Sequence, residues 1–274
     1  MIKMVGTDLD GTLLNRQNQI STINRQTIQG LAQQQVVFAI TSGRKADSIQ
    51  AVFKDLNVSG YKVCLNGSYV LGPADEVLYE APLSITTIRQ ILGIGLQNQV
   101  QVFFNSAAVS FYYQPTTSQI AIPEFVHGNP SIVQIQSEQA LLATIEKQGL
   151  NIYKAAFTTT DTEALTTCLK TLEQQQIVNQ VWSDRNYLEM TAKGVTKLTG
   201  IKKIAEYLAL DLTEIACFGD YDNDIEMLAG VGYGVAMSNA VQKVKQASYL
   251  IIDNQHAEGV GNGIKQLMGE QNGA

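Results

Sequence analysis

Four short segments hold most of the residues able to do chemistry, and three of them directly follow an apolar run. Asp8-Leu9-Asp10-Gly11 sets two carboxylates at i and i+2. They point the same way while the chain is extended, and Gly11 lets the chain turn away at once. Carboxylates this close repel, so either one is protonated or a hard cation neutralises them. An Asp-Gly turn at a strand end would account for this segment alone. Thr41-Ser42-Gly43-Arg44 offers hydroxyl and backbone donors just ahead of a helix, an arrangement that holds phosphate; a helix N-cap is the competing account for Thr41 or Ser42. Lys197 falls in the first turn of an expected helix, where a cation opposes the macrodipole and calls for an anion. Lys193, in the loop before it, reads as solvated surface charge. Gly219-Asp220-Tyr221-Asp222-Asn223-Asp224 crowds three carboxylates and an amide together. Helix-start aspartates explain one or two of these, and a divalent cation explains the set. Oxygen ligands without a nearby histidine select Mg²⁺ over zinc, and the spacing is not that of an EF-hand.

Jointly, a carboxylate pair, a hydroxyl pair, a lysine and an acidic cluster specify phosphoryl transfer. Mg²⁺ and Lys197 would neutralise phosphate oxygens, so that ionised Asp8 can attack phosphorus. Asp10 would protonate the leaving oxygen and later deprotonate water. The five aspartates Asp8, Asp10, Asp220, Asp222 and Asp224 are expected to converge in one crevice.

Such segments must end side by side, and the pattern of elements provides for that. Met4 to Asp8 and Val36 to Ile40 read as buried strands, joined by a helix with Ser21 as its N-cap, which makes a parallel βαβ unit. A helix after Arg44 carries Ala46, Ile49, Phe53 and Leu56 on one stripe. Lys62 to Leu65 runs into the hairpin-turn pair Asn66-Gly67, then Tyr69 to Leu71 and Glu76 to Glu80. The last third repeats this grammar. A helical stripe of Leu198, Ile201, Ala205 and Leu208 follows Thr196, and Glu214 to Phe218 is a strand. A helix is expected near Asp222, then Gly232 to Ala236, a short helix from Ala240, Tyr249 to Ile252 and a terminal helix from Ala257. Between these parts the strands (Val100 to Phe104, Val109 to Tyr113, Ile152 to Phe157, Val178 to Trp182) pair as hairpins among helices at Thr86–Gln97, Glu138–Gln148 and Thr162–Gln175. The expectation is an α/β protein: a Rossmann-like parallel-sheet core from residues 1–82 and 188–274, and an inserted α+β domain at 83–187.

Composition narrows the partners. The 274 residues carry a net charge of −6, which argues against nucleic acid and anionic membranes. Cys64, Cys168 and Cys217 are too few and too scattered for a disulfide framework and read as buried thiols. His127 and His256 stand outside the four segments and read as surface or packing residues. The early acidic residues and the absence of a long apolar run lead to the expectation of a cytoplasmic protein; it is further expected to be monomeric or weakly dimeric and, from the four segments together, to act on a small phosphorylated metabolite.

DLDGTLL, TSGR, the lysine of GVTK and GDYDND, in that order, resemble the four motifs of haloacid dehalogenase-like phosphatases. LNGSYV, VAMSNA and EGVGNGI resemble the Cof-type sugar-phosphatase branch with its type IIB cap, and the insert agrees with that branch in position and length. The resemblance implies Asp8 as the nucleophile that becomes aspartyl-phosphate and Asp10 as acid/base. It implies Mg²⁺ held by Asp8, the Asp10 carbonyl and Asp220, supported by Asp224, and phosphate held by Thr41, Ser42, Gly43, Lys197 and Asn223. Leu198 and Ser238 stand where the family often has glycine; neither replaces a charged group. A Mg²⁺-dependent phosphatase is the favoured reading. A phosphomutase with the same nucleophile and a phosphorylated receiver-type switch are the alternatives. Tyr112, Tyr113, Arg185 and Asn186 are candidates for substrate contact from the insert, with surface roles equally open.

Overall fold

The structure, a computed structural model, describes residues 1–113, 131–254 and 257–272; His127 and His256 lie outside them. The chain divides into two compact units, Met1–Glu80 with Thr196–Ala274, and Ala81–Val195.

The first unit begins with β1 (Met4–Thr7), α1 (Thr22–Leu31), β2 (Val37–Thr41), α2 (Ala46–Leu56), β3 (Tyr61–Cys64), β4 (Tyr69–Leu71) and β5 (Val77–Glu80). The second unit follows with α3 (Ile85–Gln97), β6 (Gln101–Ser106), β7 (Ser110–Tyr113), β8 (Ile132–Ile135), α4 (Glu138–Gln148), β9 (Ile152–Thr158), α5 (Thr162–Gln175), β10 (Val178–Asp184) and β11 (Tyr187–Ala192). The chain then returns to the first unit with α6 (Lys197–Leu208), β12 (Ile215–Gly219), α7 (Ile225–Ala229), β13 (Tyr233–Met237), α8 (Gln242–Ala247), β14 (Leu250–Ile252) and α9 (Gly259–Asn272).

The first unit holds an eight-stranded sheet in the order β14-β13-β12-β1-β2-β3-β4-β5. It is parallel from β14 to β3, and β4 and β5 add an antiparallel edge. Its inner strands are mostly apolar, with Thr7, Thr41 and Lys62 as buried polar exceptions, as expected when helices cover both faces. Met4, Ala39, Val63 and Cys217 pack with Ile201, Ile204, Met227 and Val244 on one side. Ser21 caps α1 by accepting from the Asn24 amide at 3.2 Å. The order reverses at β1, with β2 on one side and β12 on the other. In an open α/β sheet this switch point opens a crevice at the carboxyl ends of the strands.

The second unit folds a six-stranded sheet, β10-β11-β9-β6-β7-β8, antiparallel except between β7 and β8. One face carries Val102, Phe104, Phe111, Ala155, Phe157, Leu188 and Met190 against apolar residues of α3, α4 and α5. The alternate residues, among them Phe103, Tyr112 and Ala156, cluster on the other face. Tyr113 therefore belongs to the helix-covered core, which removes it as a substrate-contact candidate, while Arg185 and Asn186 are exposed at the β10–β11 turn.

Two strands go beyond the sequence reading. β8 is one. The other, β11, pairs with both β10 and β9, so residues 188–192 join this sheet rather than the core, and the unit ends at Val195 instead of 187. The Asn66-Gly67 pair lies in a four-residue connection rather than a two-residue turn: Cys64 pairs with Tyr69, and Leu65, Asn66 and Gly67 all take positive φ.

Candidate active site

Strand ends gather the site in the first unit. Asp8 directly follows β1, Thr41 closes β2, Asp220 directly follows β12, and Lys197 is the first residue of α6. Lys197 is placed by a close approach: Gly67 has φ +94°, and a Cβ there would lie 2.0 Å from the Thr196 carbonyl oxygen. The Thr199 hydroxyl accepts from the Thr196 amide at 3.1 Å and fastens the helix start.

Lys197 is 1% exposed, and its ammonium bridges Asp8 Oδ1 at 2.6 Å and Asp224 Oδ1 at 2.7 Å. The anion its helix position called for is thus supplied by the chain itself. Asp224 Oδ2 accepts from the backbone amides of Asp220 and Tyr221 at 3.0 and 3.1 Å. Asp220 Oδ1 accepts from the Thr12 hydroxyl at 2.7 Å. One oxygen each from Asp8, Asp220 and Asp224 lie within 4.8 Å of one another, all three residues buried.

One ammonium therefore faces three buried carboxylates, and the surplus negative charge shows in the proton affinities. Burial pushes the Asp8 carboxyl well above the usual range, Lys197 lowers it, and Asp224 and Asp220 raise it again. Asp220 is pushed up to about 7, by burial first and then by Asp224, against the lowering hydrogen bond from Thr12. Burial works against the charge on Lys197, but Asp224 and Asp8 outweigh it and hold the ammonium protonated. The donor set fits a hard divalent cation, being oxygen-only and short of positive charge.

Asp10 and Asp222 do not join this cluster. β1 ends at Thr7 and Gly11 turns at φ +82°, so the extended geometry that would align Asp10 with Asp8 is not maintained. The Asp10 carboxylate is instead held by the Arg44 guanidinium in a two-pronged pair, with Nε to Oδ2 at 2.9 Å and Nη2 to Oδ1. Asp222 opens a single 3₁₀ turn, and it is Asp224, at the end of that turn, that points back into the cluster.

Thr41 and Ser42 are buried, and neither caps a helix, since α2 is capped at Lys45. The Thr41 hydroxyl lies 3.4 Å from the Met227 thioether, a weak acceptor. Ser42 Oγ accepts from the Arg44 amide at 3.2 Å, with Gly43 between them. Asn223 Nδ2 donates to Asn66 Oδ1 at 3.3 Å, and the Asn66 amide donates to the Ser42 carbonyl at 3.0 Å. Asn66 thus ties the serine loop to the β12 loop. Cys64, Cys168 and Cys217 are buried and form no disulfide; burial pushes the Cys64 thiol to about 12 and that of Cys168 to about 11.

Residues 5–264 match the haloacid dehalogenase-like hydrolase family. The chain belongs to that family. Phosphatase YwpJ of Bacillus subtilis (strain 168) is 23% identical to it over 288 residues, covering 97% of this chain and 100% of the relative. Two solved structures are similar in fold. A haloacid dehalogenase-like hydrolase from B. subtilis has a TM-score of 0.86 at 21% identity, covering 97% of this chain and 100% of its own. The subclass IIB sugar phosphatase BT4131 has a TM-score of 0.80 at 22% identity, covering 97% and 99%.

In this haloacid dehalogenase-like hydrolase several site neighbours carry no role in the sequence reading: Thr12, Arg44, Asn66 and Asn239. Thr12 and Arg44 adjoin assigned residues, and Asn66 and Asn239 sit in quoted motifs. Arg44, Asn66 and Thr12 have their partners Asp10, Asn223 and Asp220 34 or more residues away. Among the described residues no helix is long and apolar enough to cross a membrane.

Proposed function

We propose that this phosphoric monoester hydrolase is Mg²⁺-dependent, works through an aspartyl-phosphate on Asp8, and acts on small phosphorylated metabolites of the sugar-phosphate class. The observation that carries the reading is Lys197, buried and bridging Asp8 to Asp224 beside Asp220. A lysine held there neutralises an incoming phosphate and orients the Asp8 oxygen toward phosphorus.

The site would hold Mg²⁺ on Asp8, the Asp10 carbonyl and Asp220, with Asp224 in support. When bound, the ion supplies positive charge that relieves repulsion between phosphate and carboxylate. Asp8 attacks phosphorus, forming the Oδ–P bond as the P–O bond to the leaving group breaks. Asp10, paired with Arg44 in the resting site, would first leave that pair and take up a proton from solvent, then give it to the leaving oxygen. It then takes a proton from the water that attacks the aspartyl-phosphate, and phosphate leaves. Thr41, Ser42, Gly43 and Asn223 hold the phosphate oxygens during both steps. Substrate choice is assigned to the inserted segment, in keeping with the name of the sugar phosphatase whose fold it shares. A cytoplasmic setting suits such a substrate.

The test is phosphate release from a panel of sugar phosphates, nucleotides and pyridoxal phosphate, with Mg²⁺ and with EDTA. Release that depends on Mg²⁺ and is strongest on sugar phosphates is expected. Turnover unaffected by EDTA would remove the metal, and preference for nucleotides would remove the substrate class.

A further inference from the structure

Two asparagines grip the loop after the nucleophile, and neither has a task in the mechanism above. Asn239 lies two residues past β13 and Asn254 two past β14. Asn239 Nδ2 donates to the Gly11 carbonyl at 2.9 Å and to Asp220 Oδ2 at 3.3 Å. Asn254 Nδ2 donates to the same Gly11 carbonyl at 3.2 Å and to Asn239 Oδ1 at 3.2 Å. Asn254 Oδ1 accepts from the Gly259 amide at 2.9 Å, at the start of α9. The Asn254 amide in turn donates to Ser238 Oγ at 2.9 Å. The chemistry of the amide is matched to this place: both hydrogens of the Asn239 NH₂ have an acceptor and its oxygen has a donor.

The consequence falls on Asp220. Thr12 donates to one of its oxygens and Asn239 to the other, so the carboxylate cannot turn without losing a bond. The loop and the carboxylate also touch, since a Cβ on Gly11 would lie 2.3 Å from Asp220 Oδ2. Asn239 holds both with one amide, and Asn254 holds that amide.

We propose that Asn239, steadied by Asn254, is a positioning residue that fixes the Asp220 carboxylate against the Gly11 turn and so presets the cation site. The proposal rests on reading Asp8, Asp220 and Asp224 as the Mg²⁺ site. Partners of this kind orient the groups that bind the ion, and losing one weakens metal affinity more than it weakens the fold. Because Asn239 is itself exposed, its bonds add little to stability, and its loss should register in ion binding.

The experiment is calorimetric titration of the full chain with Mg²⁺ in the absence of substrate. Asn239→Ala should weaken binding about tenfold and Asn254→Ala about threefold. The double variant should lose less than the two single losses combined, because Asn254 reaches Asp220 through the Asn239 amide and adds on its own only a bond to the Gly11 carbonyl. Phosphate release by Asn239→Ala should recover as Mg²⁺ is raised, which a merely damaged fold would not show. If Asn239→Ala fails to fold, Asn239→Ser, which keeps a single donor, carries the same comparison. Affinity within about twofold of the parent in the folded variant overturns the role of Asn239, as does full additivity of the two single changes. A parent chain that takes up no Mg²⁺, or takes it up undiminished in Asp220→Asn, overturns the reading of the site itself.

Discussion

At the ends of β1, β12 and α6, Lys197 is set among three buried carboxylates, whereas the six-stranded sheet sets Lys154 on β9 against Glu189 on β11. Both places bury an ammonium: Lys154 and Glu189 are 6% and 3% exposed. The difference lies in the balance of charge. The pair in the sheet has one charge of each sign, and it lies on the face of the sheet opposite the helices, beside Ala156 and Tyr187. With all three carboxylates ionised the cluster in the first unit would carry two negative charges more than its lysine offsets, and burial first, then the neighbouring carboxylates, raise the proton affinity of Asp8 and Asp220. A balanced buried pair can be explained by folding alone. An unbalanced one calls for a cation, because uncompensated buried charge is among the most destabilising features a fold can carry.

The largest expected effect follows from removing one surplus charge. Asp8→Asn should lower kcat by about a thousandfold or more, since the proposed nucleophile is lost. Its melting temperature should nonetheless stay at or above that of the parent, because one carboxylate less leaves the cluster nearer to balance. Steady-state phosphate release together with thermal unfolding checks both halves. A clear loss of stability would show that Asp8 is needed for folding and would erase the contrast with the sheet.

Removing the single cation is the converse. Lys197→Met leaves Asp8 and Asp224 buried without a counter-charge and should destabilise the metal-free chain by about 3–5 kcal/mol, with Mg²⁺ restoring part of the loss. Denaturant unfolding with Mg²⁺ and with EDTA reads this. Equal losses in both conditions would mean that the cluster does not receive the ion.

The imbalance should also give stability a pH dependence. Asp220 holds its proton up to about 7 in the folded state, whereas its ordinary value is 3.8. The folded chain thus binds more protons than the unfolded chain between these values. The stability it contributes is present below the lower value and is lost as pH rises through the upper one. Asp8 acts in the same direction. The melting temperature of the metal-free protein should fall by several degrees from about pH 5 to about pH 8, and Mg²⁺ should flatten that slope. A rising melting temperature over that range without metal would contradict the surplus of charge.

Much of this cluster is legible in the sequence because it sits at strand ends, and the alternation of buried strand and amphipathic helix sets β1, β2 and β12 side by side. What sequence spacing cannot supply is which carboxylate turns inward. The distinction between Asp222 and Asp224 depends on a single 3₁₀ turn, and the separation of Asp10 from Asp8 depends on β1 stopping at Thr7. The grip of Arg44 on Asp10 and of Asn239 on Asp220 arises where distant loops meet, and nothing local marks it. β11 is different: Leu188, Met190 and Ala192 alternate with Tyr187, Glu189 and Thr191, a period-2 pattern that is visible in the sequence. A domain boundary drawn at 187 conceals it.

The smallest expected effect is at the balanced pair, and it decides whether the comparison is sound. Glu189→Gln alone removes the charge paired with the Lys154 ammonium and should destabilise the chain by about 3 kcal/mol. Replacing both partners at once, with Lys154→Met and Glu189→Leu, removes the charge and its desolvation together. The neighbours Phe103, Tyr112, Ala156 and Tyr187 offer apolar surface for the new side chains. The double variant should therefore lie within about 1 kcal/mol of the parent or above it. Its phosphate release should be unchanged if the pair serves the fold alone. Full stability with lost turnover would mean that Lys154 or Glu189 meets the substrate, and charge balance would then not separate structural from functional ion pairs in this protein.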